Sequence, residues 1–332
     1  MTTRIIGVIL RELAIFITVV MILSALIASS EATLRGESIG SALHPANLVN
    51  KTKEYFQFSA DVFKNEDEKV ITITKGNSTL IYYIPTPHSI FTSTVGTTPG
   101  TSILLTLAIL SVSLLLILIF GALWGLRAGY REGIPDRILR ILGPSFSAIP
   151  GWFWAVALLW ILWWKLSVLP LSYLDYIHRA SVEGSVTVFT HLKGLALPIL
   201  TLTLVNIPVY AMTVRNLIIR AREEDYVITD VLKGLPNGRI ERKLLRVVLP
   251  SFLTFTSYSF LNLLMNDMAV EVLFNVPGIG RTFMIGVGEL IFYLKGSMLF
   301  FASLIMSTLY FVNASILEGL YLKLDPRVRR DE

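Results

Sequence analysis

The chain has 332 residues, 53% of them hydrophobic and only 16% charged; soluble domains carry about a quarter charged residues, so a mean hydropathy of +0.64 excludes an ordinary soluble enzyme and indicates an integral membrane protein. The absence of cysteine excludes disulfides and cysteine-ligated metals. A net charge of +5 reads as Lys and Arg gathered in loops on one membrane face rather than as a nucleic-acid surface.

Crossing the hydrocarbon layer takes about 20 helical residues. Six apolar runs reach that length, at 9–30, 101–126, 141–164, 195–219, 249–274 and 297–322. The first carries Arg11 and Glu12 near its start, where long side chains can snorkel to the interface. Its ALIASSEA end resembles a signal-peptidase site, but the apolar stretch is long for a signal core and reads as a retained anchor. Residues 31–98 are polar and are expected outside the membrane. Within them VITIT and TLIYYI flank KGNS, an alternation around a turn that predicts a β-hairpin. Asn50 and Asn77 open NKT and NST, the acceptor triplets for N-glycosylation.

In the second run Gly121, Gly125 and Gly129 recur at every fourth residue, a spacing that predicts close helix packing. Trp152, Trp154, Trp160, Trp163 and Trp164 crowd the third run, as interface and packing aromatics do. His44, His88, His178 and His191 all fall in predicted external segments without ligand spacing, so no metal site is expected. PGIGRT, at 277–282, is no phosphate loop: Asn275 stands five before Gly280, and no GK[ST] follows.

Arg127, Arg131, Arg137 and Arg140 follow the second run, the tract 221–250 follows the fourth, and Lys323, Arg327, Arg329 and Arg330 lie in the tail. In a six-span chain these share one side, which the bias of Lys and Arg makes the cytoplasm, with both termini there. The predicted organisation is a tail and first span (1–30), an extracytoplasmic subdomain (31–98), a five-helix core (99–322) with a charged loop at 220–248, and a cytoplasmic tail (323–332). Ionisable residues sit near the span ends: Arg215 and Glu318 at the cytoplasmic side, Asp267 and Glu271 at the outer side. Proton- or voltage-driven machines need charges at membrane depth, so a chain without such a relay draws its energy from elsewhere.

The tract AREEDYVITDVLKGLPNGRIERKLLRVVLP is longer than a connection between two spans requires. EEDY places acids where a helix start favours them. VITDVLKGLP predicts a short helix broken by Gly234 and Pro236, and NGRIERKLLRVV a second one ending at Pro250. Two short helices at an angle form a knob for a partner.

The tract resembles the cytoplasmic EAA loop of ATP-binding-cassette (ABC) importer permeases, in the form found in dipeptide/oligopeptide permeases. Asp225, Tyr226, Val227, Lys233, Gly234, Leu235, Leu249 and Pro250 match, while Asp230 and Leu232 stand where that family has alanines. VEVLFNVPGIGR resembles the family motif after span five through Glu271, Phe274, Pro277, Gly278, Gly280 and Arg281. LYLKLDPRVR resembles its closing motif through Asp325, Pro326 and Arg327, with Asn313 at a family asparagine. Spans three and four, GPSFSAIPGWFW and LALPILTLTLVNIPVY, are similar too, so the likeness covers about residues 100–330. The usual PGDP after the first span is absent.

The resemblance implies an all-α polytopic membrane protein with six transmembrane helices, the type I ABC importer permease fold, and a small extracytoplasmic α+β insertion after the first helix. It implies a multi-pass protein of the cytoplasmic membrane that forms half of a path for di- or oligopeptides, oligosaccharides or metal complexes being the alternative cargo. An ATP-independent transporter and a receptor or anchor are the readings outside this class. The implied partners are a second, homologous permease, two ABC ATPase subunits, an extracytoplasmic substrate-binding protein and membrane lipid, with no nucleic acid. ATP and Mg2+ belong to the ATPase subunits, and this chain is expected to hold no cofactor, no metal and no catalytic residue. The implied ATPase-coupling residues are Glu223, Glu224, Asp225, Tyr226, Lys233, Gly234, Leu235, Pro236 and Arg239. Of these, Gly234 serves a tight turn or close approach, Tyr226 and Leu235 serve as apolar anchors, and the charged residues fix register.

Overall fold

Proline and glycine decide where the long apolar runs begin and bend. A computed structural model describes residues 2–75 and 78–324; Asn77, Asp325, Pro326 and Arg327 lie outside the described residues. The chain opens with α1 (Thr2–Leu34), the short α2 (Ile39–Ala42) and α3 (Pro45–Asp61). Strands β1 (Glu68–Lys75) and β2 (Ser78–Pro85) follow, then α4 (Pro87–Val95), α5 (Pro99–Arg131) and α6 (Ile134–Ala148). Next come α7 (Gly151–Leu159), prolonged by a π-helical turn (Trp160–Lys165), and α8 (Tyr173–Val182). The remainder is α9 (Val188–Arg222), α10 (Asp225–Leu232), α11 (Asn237–Leu273), α12 (Ile279–Tyr293) and α13 (Ser297–Leu324). Pro at the first turn of α3 and α4 and the Thr187/Thr190 capping box of α9 supply the helix-start chemistry.

Among the described residues, five helical stretches are long and apolar enough to cross a membrane: Ile9–Leu34, Pro99–Arg131, Val188–Arg222, Asn237–Leu273 and Ser297–Tyr321. The expected third span differs. Residues 141–164 are not one helix, because α6 and α7 meet at a 105° bend, so the count is six only if that bent pair is one span. The cause is local. Pro150 disfavours helical geometry at the residue before it, and Ile149 takes the extended backbone (φ −101, ψ 128).

The chain forms two compact units. One comprises Met1–Glu12, Ala108–Phe274 and Tyr310–Glu332; the other Leu13–Leu107 and Asn275–Leu309. In the first, α9 packs against α11, α6 and α7, and the glycine row of α5 lies on α9. A Cβ on Gly125 would stand 2.5 Å from the Ala211 carbonyl oxygen, and one on Gly129 2.8 Å from that of Arg215. Small residues therefore set this helix distance. Beside them Leu139 of α6 packs with Ala128 and Ala211. Asp136, 1% exposed, receives both Arg215 from α9 and Arg140 (2.6 Å). Tyr210 makes edge contacts with Phe252 and Phe255 of α11, at 6.0 and 5.1 Å.

In the second unit Val20, Ile27, Tyr55, Leu290, Leu299 and Phe300 form the core, with Tyr55 stacked on Phe300 at 5.2 Å. The Gly296 N–H donates to the buried Glu31 carboxylate at 2.6 Å, and a Cβ there would collide with Ile27. Burial pulls the Lys51 ammonium down, but Glu54 and Glu31 outweigh it and hold its pKa above the usual lysine value. The strands pair antiparallel from Glu68↔Pro85 to Lys75↔Ser78, the pairing expected of a hairpin. His88, expected on an open surface, is instead buried, with Nδ1 2.8 Å from the Val62 carbonyl oxygen.

Candidate functional site

The charged tract becomes one short helix standing on the start of a long one. Glu224, in extended backbone, precedes α10, and Asp225 opens its first turn, where a carboxylate meets the positive end of the helix dipole. At the other end Gly234 N–H donates to Val231 O (2.9 Å) and Leu235 N–H to Asp230 O (3.1 Å). This paired closure needs a left-handed residue at Gly234, whose φ is +71. No atom lies within 4 Å of where its Cβ would be, so backbone handedness rather than space selects glycine. Pro236 then caps α11, its carbonyl accepting from Arg239 N–H at 2.8 Å.

The expected second short helix ending at Pro250 is corrected. α11 runs unbroken from Asn237 to Leu273 with Pro250 buried inside it. Proline removes one backbone donor, a defect that membrane helices tolerate when neighbouring groups compensate. Here the Thr254 hydroxyl donates to the Pro250 carbonyl (3.1 Å).

α10 is held from beneath. Val227 is 2% exposed, and the Lys243 ammonium, paired with Asp230, lies 4.9 Å from the Tyr226 ring centre. Burial, aided by Glu224 and opposed by Lys243, raises the Tyr226 phenol above its usual pKa. Around this base the end of α5 forms a clamp. Arg222 donates to the Tyr130 carbonyl (3.1 Å) and pairs with Glu132 (2.8 Å). Tyr130 donates its hydroxyl to Asn237 (2.9 Å), and Arg131 pairs with Glu241 (2.8 Å).

The outward face of α10 is apolar. Ile228, Val231 and Leu232 are 50%, 55% and 82% exposed. They differ from the expected anchors: Tyr226 is turned inward under Lys243 and Leu235 is half-buried. The i, i+3, i+4 spacing of the three was readable in VITDVL, but only the burial of Val227 shows which face is free. Glu223, Glu224, Asp225, Lys233 and Arg239 stay exposed around this patch with no ion pair among the described residues. Of the clamp residues, Arg131 reads from the sequence only as one of the basic residues that orient the chain, and Tyr130, Glu132 and Glu241 carry no sequence signal. Their pairing needs the tertiary approach of α5 to α11.

The remaining motif residues that the structure describes are divided between the two units. In the first unit Glu271 and Phe274 are buried, and the Phe274 carbonyl accepts from Tyr173 N–H at 2.9 Å. Asp267, expected with Glu271 at a span end, is also fully buried, one helical turn away. In the second unit Pro277, Gly278 and Gly280 are buried, Gly278 precedes α12, and Arg281 donates to the Val95 carbonyl at 3.2 Å. Asn313 is half-buried in α13.

A model of the family described as binding-protein-dependent transport system inner membrane component matches residues 118–330, which include the clamp, α10 and α11. The probable D,D-dipeptide transport system permease protein DdpB of Escherichia coli is 28% identical over 235 residues, 66% of this chain and 68% of that protein. The oligopeptide transport system permease protein OppB of Salmonella typhimurium is 27% identical over 139 residues, 42% of this chain and 44% of its own length. The probable peptide ABC transporter permease protein y4tP of Sinorhizobium fredii is 25% identical over 226 residues, 68% of this chain and 69% of its own.

Proposed function

Because the chain belongs to the family of binding-protein-dependent transport system inner membrane components, we propose that it is the permease subunit of an ABC importer of di- or oligopeptides and that α10 couples it to an ATPase. The peptide transport for which its relatives are named supports the cargo. In this reading α6 and α7 together form one of six spans, both termini are cytoplasmic, and residues 31–98 form a small outer insertion. A second permease completes the path, two ATPase subunits hold ATP and Mg2+, and a binding protein delivers the cargo outside. This chain carries out no covalent chemistry and supplies no cofactor site.

The observation that carries the coupling role is the apolar patch Ile228, Val231 and Leu232 on a helix tied to α11 by the Asp230–Lys243 ion pair, with α11 in turn paired to α5 through Arg131–Glu241. Exposed apolar side chains ringed by unpaired charges suit an interface with an apolar centre and a polar rim. A helix so anchored transmits displacement to α9 and α11 instead of absorbing it. Closure of the ATPase pair then shifts the permeases between inward- and outward-facing arrangements. Leu232→Glu and Gly234→Arg, in the complex reconstituted with every partner, are expected to insert normally while losing substrate-stimulated ATP hydrolysis. Full stimulation in both would remove α10 from the coupling path.

A further inference from the structure

The exposed surface of α11 carries a polar stripe beside the apolar Leu261 and Met265. Ser251, Thr254, Tyr258 and Asn262 follow one another at spacings of three and four along it, and Tyr258 is 76% exposed. α5, in the same unit, exposes Val112, Leu115, Ile119, Phe120 and Leu123. Thr254 bonds back to the Pro250 carbonyl and Asn262 Oδ1 accepts from Asn266, but the Tyr258 hydroxyl would find no partner in hydrocarbon, so such a face of a spanning helix turns to protein or water. The α11 stripe leads into a cavity of about 310 Å³ lined by Thr254 and Tyr258 with Arg11, Glu12, Tyr310 and Glu318. Arg11 reaches both Glu318 oxygens (2.6 and 2.7 Å) and Glu12 (2.9 Å). The sequence placed these groups at span ends, free to snorkel; here they face one another. Two carboxylates oppose one guanidinium, leaving a surplus negative charge among these three groups in a cavity that Tyr258, Tyr310 and Tyr321 also line.

We propose that the Ser251–Asn262 stripe of α11 lines the aqueous translocation path and that the Arg11–Glu12–Glu318 cavity is a subsite on it for the ammonium group of the cargo. The surplus carboxylate supplies the charge, and Tyr258 and Tyr310 supply the aromatic faces that ammonium groups favour. The inference rests on the importer reading above and specifies which groups of this chain the cargo meets.

The chain contains no cysteine, so a single introduced thiol reports on one position. In the reconstituted complex, Thr254→Cys, Tyr258→Cys and Asn262→Cys are expected to react with a membrane-impermeant maleimide, which needs hydrated thiolate. Leu115→Cys and Ile119→Cys are expected to stay unlabelled. Labelling of the stripe no greater than these controls would overturn the path, since protein or lipid would then cover the face. For the subsite, Glu318→Gln is expected to raise KM for a free-amine dipeptide about tenfold, as loss of a charged hydrogen bond implies, and to leave KM for its N-acetylated form unchanged. Tyr258→Ala, at an exposed position, is expected to show a smaller split of the same sign. Equal effects on both peptides in both variants would overturn the subsite. A wild-type complex that imports no peptide would instead refute the cargo reading, while the labelling pattern still decides the path.

Discussion

Asp136 has almost no contact with solvent, yet two guanidinium groups meet it. Removing one side of a buried ion pair strands the other charge, which typically costs about 3–5 kcal/mol. Asp136→Ala is therefore expected to lower the thermal unfolding midpoint in detergent markedly. The double change Asp136→Leu with Arg215→Met should recover much of that loss, because no charge is then left unpaired. A single mutant as stable as wild type would show that Arg215 finds water instead. Gly234 illustrates a different residue-scale control. Its left-handed backbone carries a penalty of about 1–2 kcal/mol for most side chains, so Gly234→Ala should fray the end of α10, read as faster amide exchange at Leu235. Asn, which tolerates this conformation better, should be milder. Of these residues only Gly234 was legible in the sequence, because the KGLP break advertises a turn. Asp136 looked like one more charge in a basic loop.

At the scale of elements, the α5–α9 contact is set by glycine. A methyl at Gly125 would fall 2.5 Å from a backbone oxygen that cannot rotate away. Gly125→Ala should then destabilise the protein by about 1–3 kcal/mol, the range for overpacking, whereas Gly100→Ala, with open space around it, should be neutral. Thermal unfolding of the two variants side by side checks this. The fourfold spacing of Gly121, Gly125 and Gly129 made the contact legible in advance, as hydrophobic length did for five of the spanning helices. Proline was misread twice, in opposite directions. Pro250 was taken as a stop, but inside a membrane helix it is accommodated. Pro150, set in a tryptophan-rich apolar run, gave no warning in hydropathy, although that run bends through 105° beside it. Hydropathy measures whether a segment prefers oil, not whether its backbone stays straight. The free face of α10 was hidden for a related reason: periodicity gives two faces, and only packing chooses between them.

For the molecule as a working part, the question is whether a push on α10 arrives anywhere. Among ion pairs, α10 meets the spans through Lys243–Asp230, and the spans around it are tied to one another by Arg222–Glu132 and Arg131–Glu241. Arg131→Glu or Glu241→Arg alone should lower the transport accomplished per ATP hydrolysed, and the paired swap should restore it. A swap that leaves transport uncoupled would mean that these charges hold shape without carrying motion. What lies downstream of the clamp is a rod. The 37 residues of α11 form one uninterrupted helix, about 55 Å long at 1.5 Å per residue. Any force that tilts its first turn by about 5° sweeps its last turn sideways by about 5 Å, from the arithmetic of that length. A leverage of that size means that a sub-ångström displacement at the pivot is amplified into a shift wider than a water molecule at the opposite tip.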